Sequence, residues 1–302
     1  MKFEYSGEYK LNVPVDLQTT IESGQTFLWN KENGTIFEDS NTTENPEYST
    51  ARTINDNEIM VLKVKSDENK LVWKCTHKQG GDYIESIFQL DKDIKKIQND
   101  LIKKDSNGVI RKAINLFPGL RIINEPLFPT LMSFICSTQM RVERIHDMVN
   151  SISEKYGKST TINGNKYSSF PTPKEMSLAT EEELRDLKLG YRASYGIKTI
   201  EMIHSNSLPL ELSTDVKEAR KHLEKYVGVG PKVADCILLY SGGFHSVVPV
   251  DTWIERAVEI YYPENEGKNR SETARSFESL FGEYSGFAQA YLFHYMRTEN
   301  EI

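Results

Sequence analysis

The stretch Lys217–Arg256, KEARKHLEKYVGVGPKVADCILLYSGGFHSVVPVDTWIER, leaves the chain little conformational choice. Ala219, Leu223, Tyr226 and Val227 fall at helical intervals and give one apolar face. Gly228 and Gly230 then offer a turn in which positive φ carries no steric cost. Pro231 suits the first position of a second helix, where its missing N–H would be unpaired anyway. Val233, Ala234, Ile237, Leu238 and Tyr240 continue that helix until Gly242-Gly243 stops it. A third helix is expected after the extended Val247–Val250. The spacing predicts a helix-hairpin-helix over about 217–242.

Two polar residues flank the hairpin. Lys232 stands in the first turn of the second helix, near the positive end of its dipole. There, and more so if buried, an amine should give up its proton more readily than on the surface. A neutral amine is a nucleophile. Asp251 stands where the N-cap of the third helix belongs. Singly, each reads equally as a solvated lysine or a capping aspartate. Together, around Gly-Val-Gly-Pro-Lys, they point to chemistry.

The pattern GVGPKVADC followed by VPVD resembles the helix-hairpin-helix-GPD superfamily of DNA glycosylases, and within it the 8-oxoguanine branch. The resemblance implies that Lys232 attacks C1′ of the damaged nucleotide and that Asp251 assists. GQTFLW, from Gly24, resembles the branch's GQ-S/T-F-R-W, in which the glycine carbonyl accepts from N7–H of the oxidised base. Guanine has no hydrogen there, and two facing acceptors cost on the order of 1–3 kcal/mol. Leu28 departs from the branch's arginine. Gln139, Arg144 and Arg192 match positions that fill the vacated stack and read the opposite cytosine, with Gln139 where asparagine is usual. Arg141 reads as a solvated helix end, and the bland reading of Arg192 is an ion pair with Glu181–Glu183. Cys236, Gln289 and Phe293 match the base pocket, while Trp253 stands where histidine is usual and is either core or a DNA contact. His294 and Tyr291 read as structural. The likeness runs from Gly24 to about Arg297.

The formal net charge of −7 argues against a general polyanion binder. Residues 1–107 carry 14 basic and 19 acidic side chains, and residues 108–302 carry 23 and 25, so the second part is nearly balanced. Backbone amides at the hairpin (Gly228, Gly230) and a helix N-terminus can still hold a phosphate. Cys75, Cys136 and Cys236 lie too far apart in sequence for a disulfide framework or an iron–sulfur cluster. Scattered cysteines, and no apolar run of membrane length, suggest a reducing interior: cytoplasm in a prokaryote, nucleus in a eukaryote. The resemblance implies no cofactor or metal, and leaves room for a monovalent or divalent ion at the hairpin. It implies a monomer acting on double-stranded DNA that contains 8-oxoguanine, away from any membrane.

The expected fold is α+β: a small antiparallel β-sheet domain, residues 1–85, followed by a mostly α-helical catalytic domain, 86–302. Strand formers stand at 9–13, 35–37, 59–65 and 71–73, with a hairpin signal at Asn33-Gly34 and a mobile loop around 39–50. Helices are expected over 91–105, 109–117, 127–157 and 173–189, with a loop at 158–173. The function implied is a bifunctional glycosylase and lyase for 8-oxoguanine. Two alternatives remain open: a water-using alkylated-base glycosylase that relies on Asp251 alone, and a DNA-binding module without chemistry.

Overall fold

In a computed structural model, which describes residues 1–37, 45–55 and 58–299, the chain begins with a five-stranded antiparallel sheet. Its strands are β1 (Tyr5–Lys10), β2 (Asn30–Lys31), β3 (Glu47–Ile54), β4 (Glu58–Asp67) and β5 (Lys70–Cys75), in the spatial order β1-β5-β4-β3-β2. Alternation along β4 sets its register, pairing Leu62 with Thr50 and Val64 with Tyr48 on one side, and Leu62 with Cys75 on the other. One face of the sheet meets the helices: Tyr48, Met60, Leu62, Val64 and Leu71 enter the same core as Ile84 and Phe88.

Three expectations for this part are corrected. Helix α1 (Leu17–Ile21), capped by Asp16, was not foreseen. Of residues 35–37 none is strand and 36–37 form turn, and Asn33-Gly34 does not close a tight hairpin, because β2 ends at Lys31 and β3 begins at Glu47. Of the expected loop at 39–50, residues 39–44 lie outside the described residues, whereas 47–50 are strand, with 48–50 buried.

Helices α2 (Gly80–Ile87), α3 (Ile94–Lys104) and α4 (Val109–Leu116) lead to α5 (Leu127–Cys136) and α6 (Val142–Tyr156). The single helix expected over 127–157 is therefore two. The break at 137–141 is tied by Ser137 Oγ donating to Phe134 O (2.7 Å), and Gln139 takes a left-handed φ of +52°. The expected loop at 158–173 contains a hairpin, β6 (Ser159–Ile162) and β7 (Asn165–Ser168). Asn163 and Gly164, both at positive φ, form its turn. Residues 173–189 likewise split into α7 (Pro173–Met176) and α8 (Glu181–Asp186), each opened by a capping box.

Helices α9 (Arg192–His204), α10 (Val216–Leu223), α11 (Pro231–Ser241), α12 (Thr252–Tyr261), α13 (Arg270–Phe281) and α14 (Ser285–Glu299) complete the chain. Helix α11 packs against α5 and α10, and α14 against α4 and α12. This brings the N-terminal ends of α11 and α12 to the same place as the middle of α14. Among the described residues no helix is long and apolar enough to cross a membrane.

Candidate functional site

The hairpin turn depends on Gly228. Its φ is +86°, and a Cβ there would come within 2.6 Å of the Tyr195 ring. Gly230 does not need positive φ: its backbone is extended (φ −95°, ψ −179°), and a Cβ would meet nothing within 4 Å. It precedes Pro231, the first residue of α11, as the sequence implies. Beside the turn runs a groove of about 540 Å³ lined by Thr138, Gly228, Gly230, Lys232, Asn269 and Arg270. The first amides of α11 have no intrahelical partner, which suits the groove to a phosphate.

Lys232 also lines a second space, a cavity of about 390 Å³, in the size range of ligand sites (roughly 300–1,000 Å³). Gly24, Cys236, Asp251, Gln289 and Phe293 line it too, so four distant segments converge there. Lys232 and Cys236 are one turn apart on α11, and Lys232 Nζ lies 5.7 Å from the centroid of the Phe134 ring. Asp251 is the N-cap of α12 and accepts from Ile254 N–H at 2.9 Å. Gln289 is buried, and its Oε1 has no partner. A buried acceptor without a donor is costly, and a bound group that donates to it removes that cost. Gly24 holds φ at +82°, a conformation that other residues reach only with strain.

The electrostatics correct one expectation. Lys232 is held above its ordinary pKa, not below it. The Cys236 sulfur is the largest cause and the Asp251 carboxylate also contributes, against the desolvation that pulls the ammonium down. Burial and the helix N-terminus are the influences weighed from the sequence; Cys236, one turn along α11, is equally local, and folding adds the Asp251 carboxylate. Burial pushes the Cys236 thiol up to about 11, so near neutral pH it stays protonated, and Asp251 is the anion facing the ammonium. Burial raises Asp251 above the usual carboxylate value, while the amides of Ile254 and Trp253 and the Lys232 charge pull it back.

The remaining predicted residues do not line this cavity. Arg144 is in the first turn of α6, its side chain 64% exposed and 4.0 Å from Asp147. Gln139 is exposed in the break between α5 and α6. Arg192 is 5% exposed and donates from Nε to Thr138 O (3.0 Å), from Nη2 to the same oxygen, and from Nη1 to Leu189 O (3.5 Å). It makes no ion pair with Glu181–Glu183, where Glu181 pairs with Arg185 instead.

Other residues join the cavity unannounced. Arg141, read as a solvated helix end, is at its edge, and so are Met140 and Arg297. Trp253, two residues after Asp251, is half-buried in its wall. His294 lines it as well. Its Nε2 has no partner, and burial, with Arg297 nearby, lowers it to about 3, so the imidazole is neutral. Adjacency to Asp251 and Phe293 could have flagged Trp253 and His294. Nothing local marks Met140. Leu28 is buried core, and its carbonyl accepts from Thr50 Oγ1 (2.5 Å).

Residues 132–283 match the family model described as HhH-GPD superfamily base excision DNA repair protein, and residues 9–131 match that of the 8-oxoguanine DNA glycosylase N-terminal domain. The chain is 30% identical to an N-glycosylase/DNA lyase of Saccharomyces cerevisiae, with 92% of this chain and 82% of that protein covered. It is also 30% identical to the N-glycosylase/DNA lyase OGG1 of Arabidopsis thaliana, over 92% of this chain and 76% of that one. Its fold superposes with a TM-score of 0.83 on the Clostridium acetobutylicum 8-oxoguanine glycosylase/lyase, solved with double-stranded DNA carrying cytosine opposite 8-oxoguanine. That match is 29% identical and covers 100% of both chains. The chain belongs to the helix-hairpin-helix-GPD superfamily of base excision DNA repair proteins, in its 8-oxoguanine DNA glycosylase branch.

Proposed function

We propose that this protein is a bifunctional DNA glycosylase and lyase that excises 8-oxoguanine from duplex DNA, with Lys232 as its nucleophile. The observation that carries this reading is the convergence of Lys232 and Asp251 on one cavity whose buried Gln289 Oε1 lacks a donor. The duplex bends over the hairpin groove and the lesion swings out into the cavity. Gln289 then accepts from the base edge, Phe293 stacks on its plane, and the Gly24 carbonyl takes the N7–H. The Lys232 nitrogen bonds C1′ as the C1′–N9 bond breaks, and the purine leaves with the electron pair and takes up the proton that the ammonium sheds. The resulting Schiff base permits β-elimination of the 3′ phosphate. All the cavity groups come from one chain, so a monomer suffices. The protein works wherever its DNA is: the cytoplasm of a prokaryote or the nucleus of a eukaryote.

A water mechanism relying on Asp251 alone would give no reason for an amine in the cavity. Cleavage of four duplexes carrying 8-oxoguanine opposite each base, with borohydride trapping alongside, tests the assignment. We expect a covalent adduct and preference for cytosine. Arg144→Ala should flatten that preference by about 1–3 kcal/mol, the scale of one bidentate contact to a base. No adduct from the wild type on any duplex would overturn the assignment.

Asp251 stabilises positive charge developing on the sugar. Asp251→Asn keeps an oxygen for Ile254 N–H but removes the charge, and single-turnover excision should fall by roughly 10²–10³-fold. Only the ionised carboxylate serves, and burial raises its pKa. Wild-type activity should therefore fall, as pH drops, at a pH above the ordinary aspartate value of about 3.9. The asparagine variant should lack that acid limb.

A further inference from the structure

The catalytic cavity and the hollow around Arg144 share a wall residue, Met140. It lines the cavity with Phe134 and Lys232, and it lines a neighbouring space of about 660 Å³ with Arg144, Asp147 and Lys188. Gln139, where the resemblance puts the gap-filling residue, borders neither space and is exposed. Its left-handed backbone (φ +52°) turns the chain between Thr138 and Met140. That turn is held from both sides. Met140 N–H donates to Ser137 O at 3.2 Å, and the buried Arg192 guanidinium grips the Thr138 carbonyl through Nε and Nη2.

We propose that Met140, rather than Gln139, fills the gap left in the duplex when the base is extruded, and that Arg192 is a positioning residue for it. This rests on the reading of the cavity as the seat of an extruded base. A vacated stacking position is a slot between apolar base faces. An unbranched, polarisable thioether fills such a slot without burying a polar group. A glutamine amide there would have to find partners for its donors and its acceptor. The thioether has no donor to offer an orphan base, so discrimination falls to Arg144, which faces the hollow on the other side of Met140. Arg192 has its donors turned to Thr138 and Leu189, and its effect on the reaction runs through the turn.

The test uses the full chain and single-turnover excision of 8-oxoguanine placed opposite cytosine, and opposite a tetrahydrofuran abasic analogue, where no orphan base stands. A 2-aminopurine beside the lesion reports unstacking. Opposite cytosine, Met140→Ala should slow excision and reduce the 2-aminopurine signal together by about tenfold, the scale of one stacking contact. Met140→Leu and Gln139→Ala should each stay within about threefold of wild type. Opposite the abasic analogue the Met140→Ala penalty should persist, because the extruded base leaves the same slot, whereas any Arg144→Ala loss, which needs an orphan base, should disappear. Arg192→Met should reproduce the Met140→Ala loss equally opposite all four bases, with part recovered in Arg192→Lys. A larger loss in Gln139→Ala than in Met140→Ala, or an Arg192→Met loss confined to cytosine, overturns the proposal. If the wild type forms a borohydride-trapped adduct and Met140→Ala matches it in rate, this inference alone fails. If the wild type forms no adduct, the reading beneath it fails as well.

Discussion

Lys232→Gln should bind duplex DNA containing 8-oxoguanine with near wild-type affinity, yet form no borohydride-trapped adduct and release no base. The amide is close to lysine in reach and cannot bond C1′. Losing the nucleophile should slow base release roughly 10⁴-fold or more, the scale on which a covalent catalyst's nucleophile is felt. Binding should survive because the substitution leaves in place the hairpin-groove amides to which we assign the phosphate contacts. The substitution also removes the charge that holds the Asp251 pKa down, so the Asp251 carboxyl should rise further and contribute less. Trapping, base release and filter binding, measured on one preparation, separate these effects. Continued base release without adduct would assign the chemistry to water activated by Asp251. The alkylated-base mechanism would then be the better account of this cavity.

The hairpin could be read from sequence because everything that defines it is local. Gly228, Pro231 and the apolar spacing of Val233, Ile237 and Leu238 act within a few turns of helix. The cavity could not be assembled that way. Gly24 meets Lys232 only after the sheet packs on the helical part, and no periodicity links positions so far apart. The resemblance supplied that junction. Its limit is visible at 137–141, where neither glycine nor proline marks a break and Gln139 takes a backbone conformation that glutamine seldom advertises. The hairpin at 159–168 had its signal in Asn163-Gly164, but its strands are four residues each, too short for alternation to stand out. The direction of the Lys232 shift was hidden for a different reason. Its largest cause, the Cys236 sulfur, lies one turn away on α11 and its weight depends on how closely folding packs it, whereas the Asp251 carboxylate arrives through tertiary structure altogether.

Glu125 was invisible for the same reason, and its loss should give the largest change in stability. Its side chain is 1% exposed and accepts from Thr26 Oγ1 (2.8 Å), Trp29 Nε1 (2.9 Å) and Arg52 Nη2 (2.8 Å to one oxygen, 3.0 Å to the other). Its backbone N–H reaches Tyr240 O at the end of α11 (2.7 Å). Gln25 extends the seam, donating to Arg121 O (2.9 Å) and accepting from Ile123 N–H (3.0 Å). The segment that carries Gly24 is thus tied to the helical part by a buried ion pair and its hydrogen bonds. Glu125→Ala leaves the buried Arg52 charge without its counter-ion, with only the Leu28 carbonyl (3.3 Å) still accepting from it, and leaves the Trp29 N–H without an acceptor, and should cost about 3–5 kcal/mol in denaturant unfolding. Replacing Arg52 and Glu125 together with methionine and leucine should recover much of that loss, because no uncompensated charge then remains. Activity should not recover in step. Without the acceptor for Thr26 and Trp29, Gly24 is less firmly held against the base, while an abasic site offers no base for Gly24 to read. The double variant should therefore still be trapped on abasic DNA but lose preference for 8-oxoguanine over guanine. If it kept both its stability and that preference, the seam would be a packing feature with no part in reading the lesion.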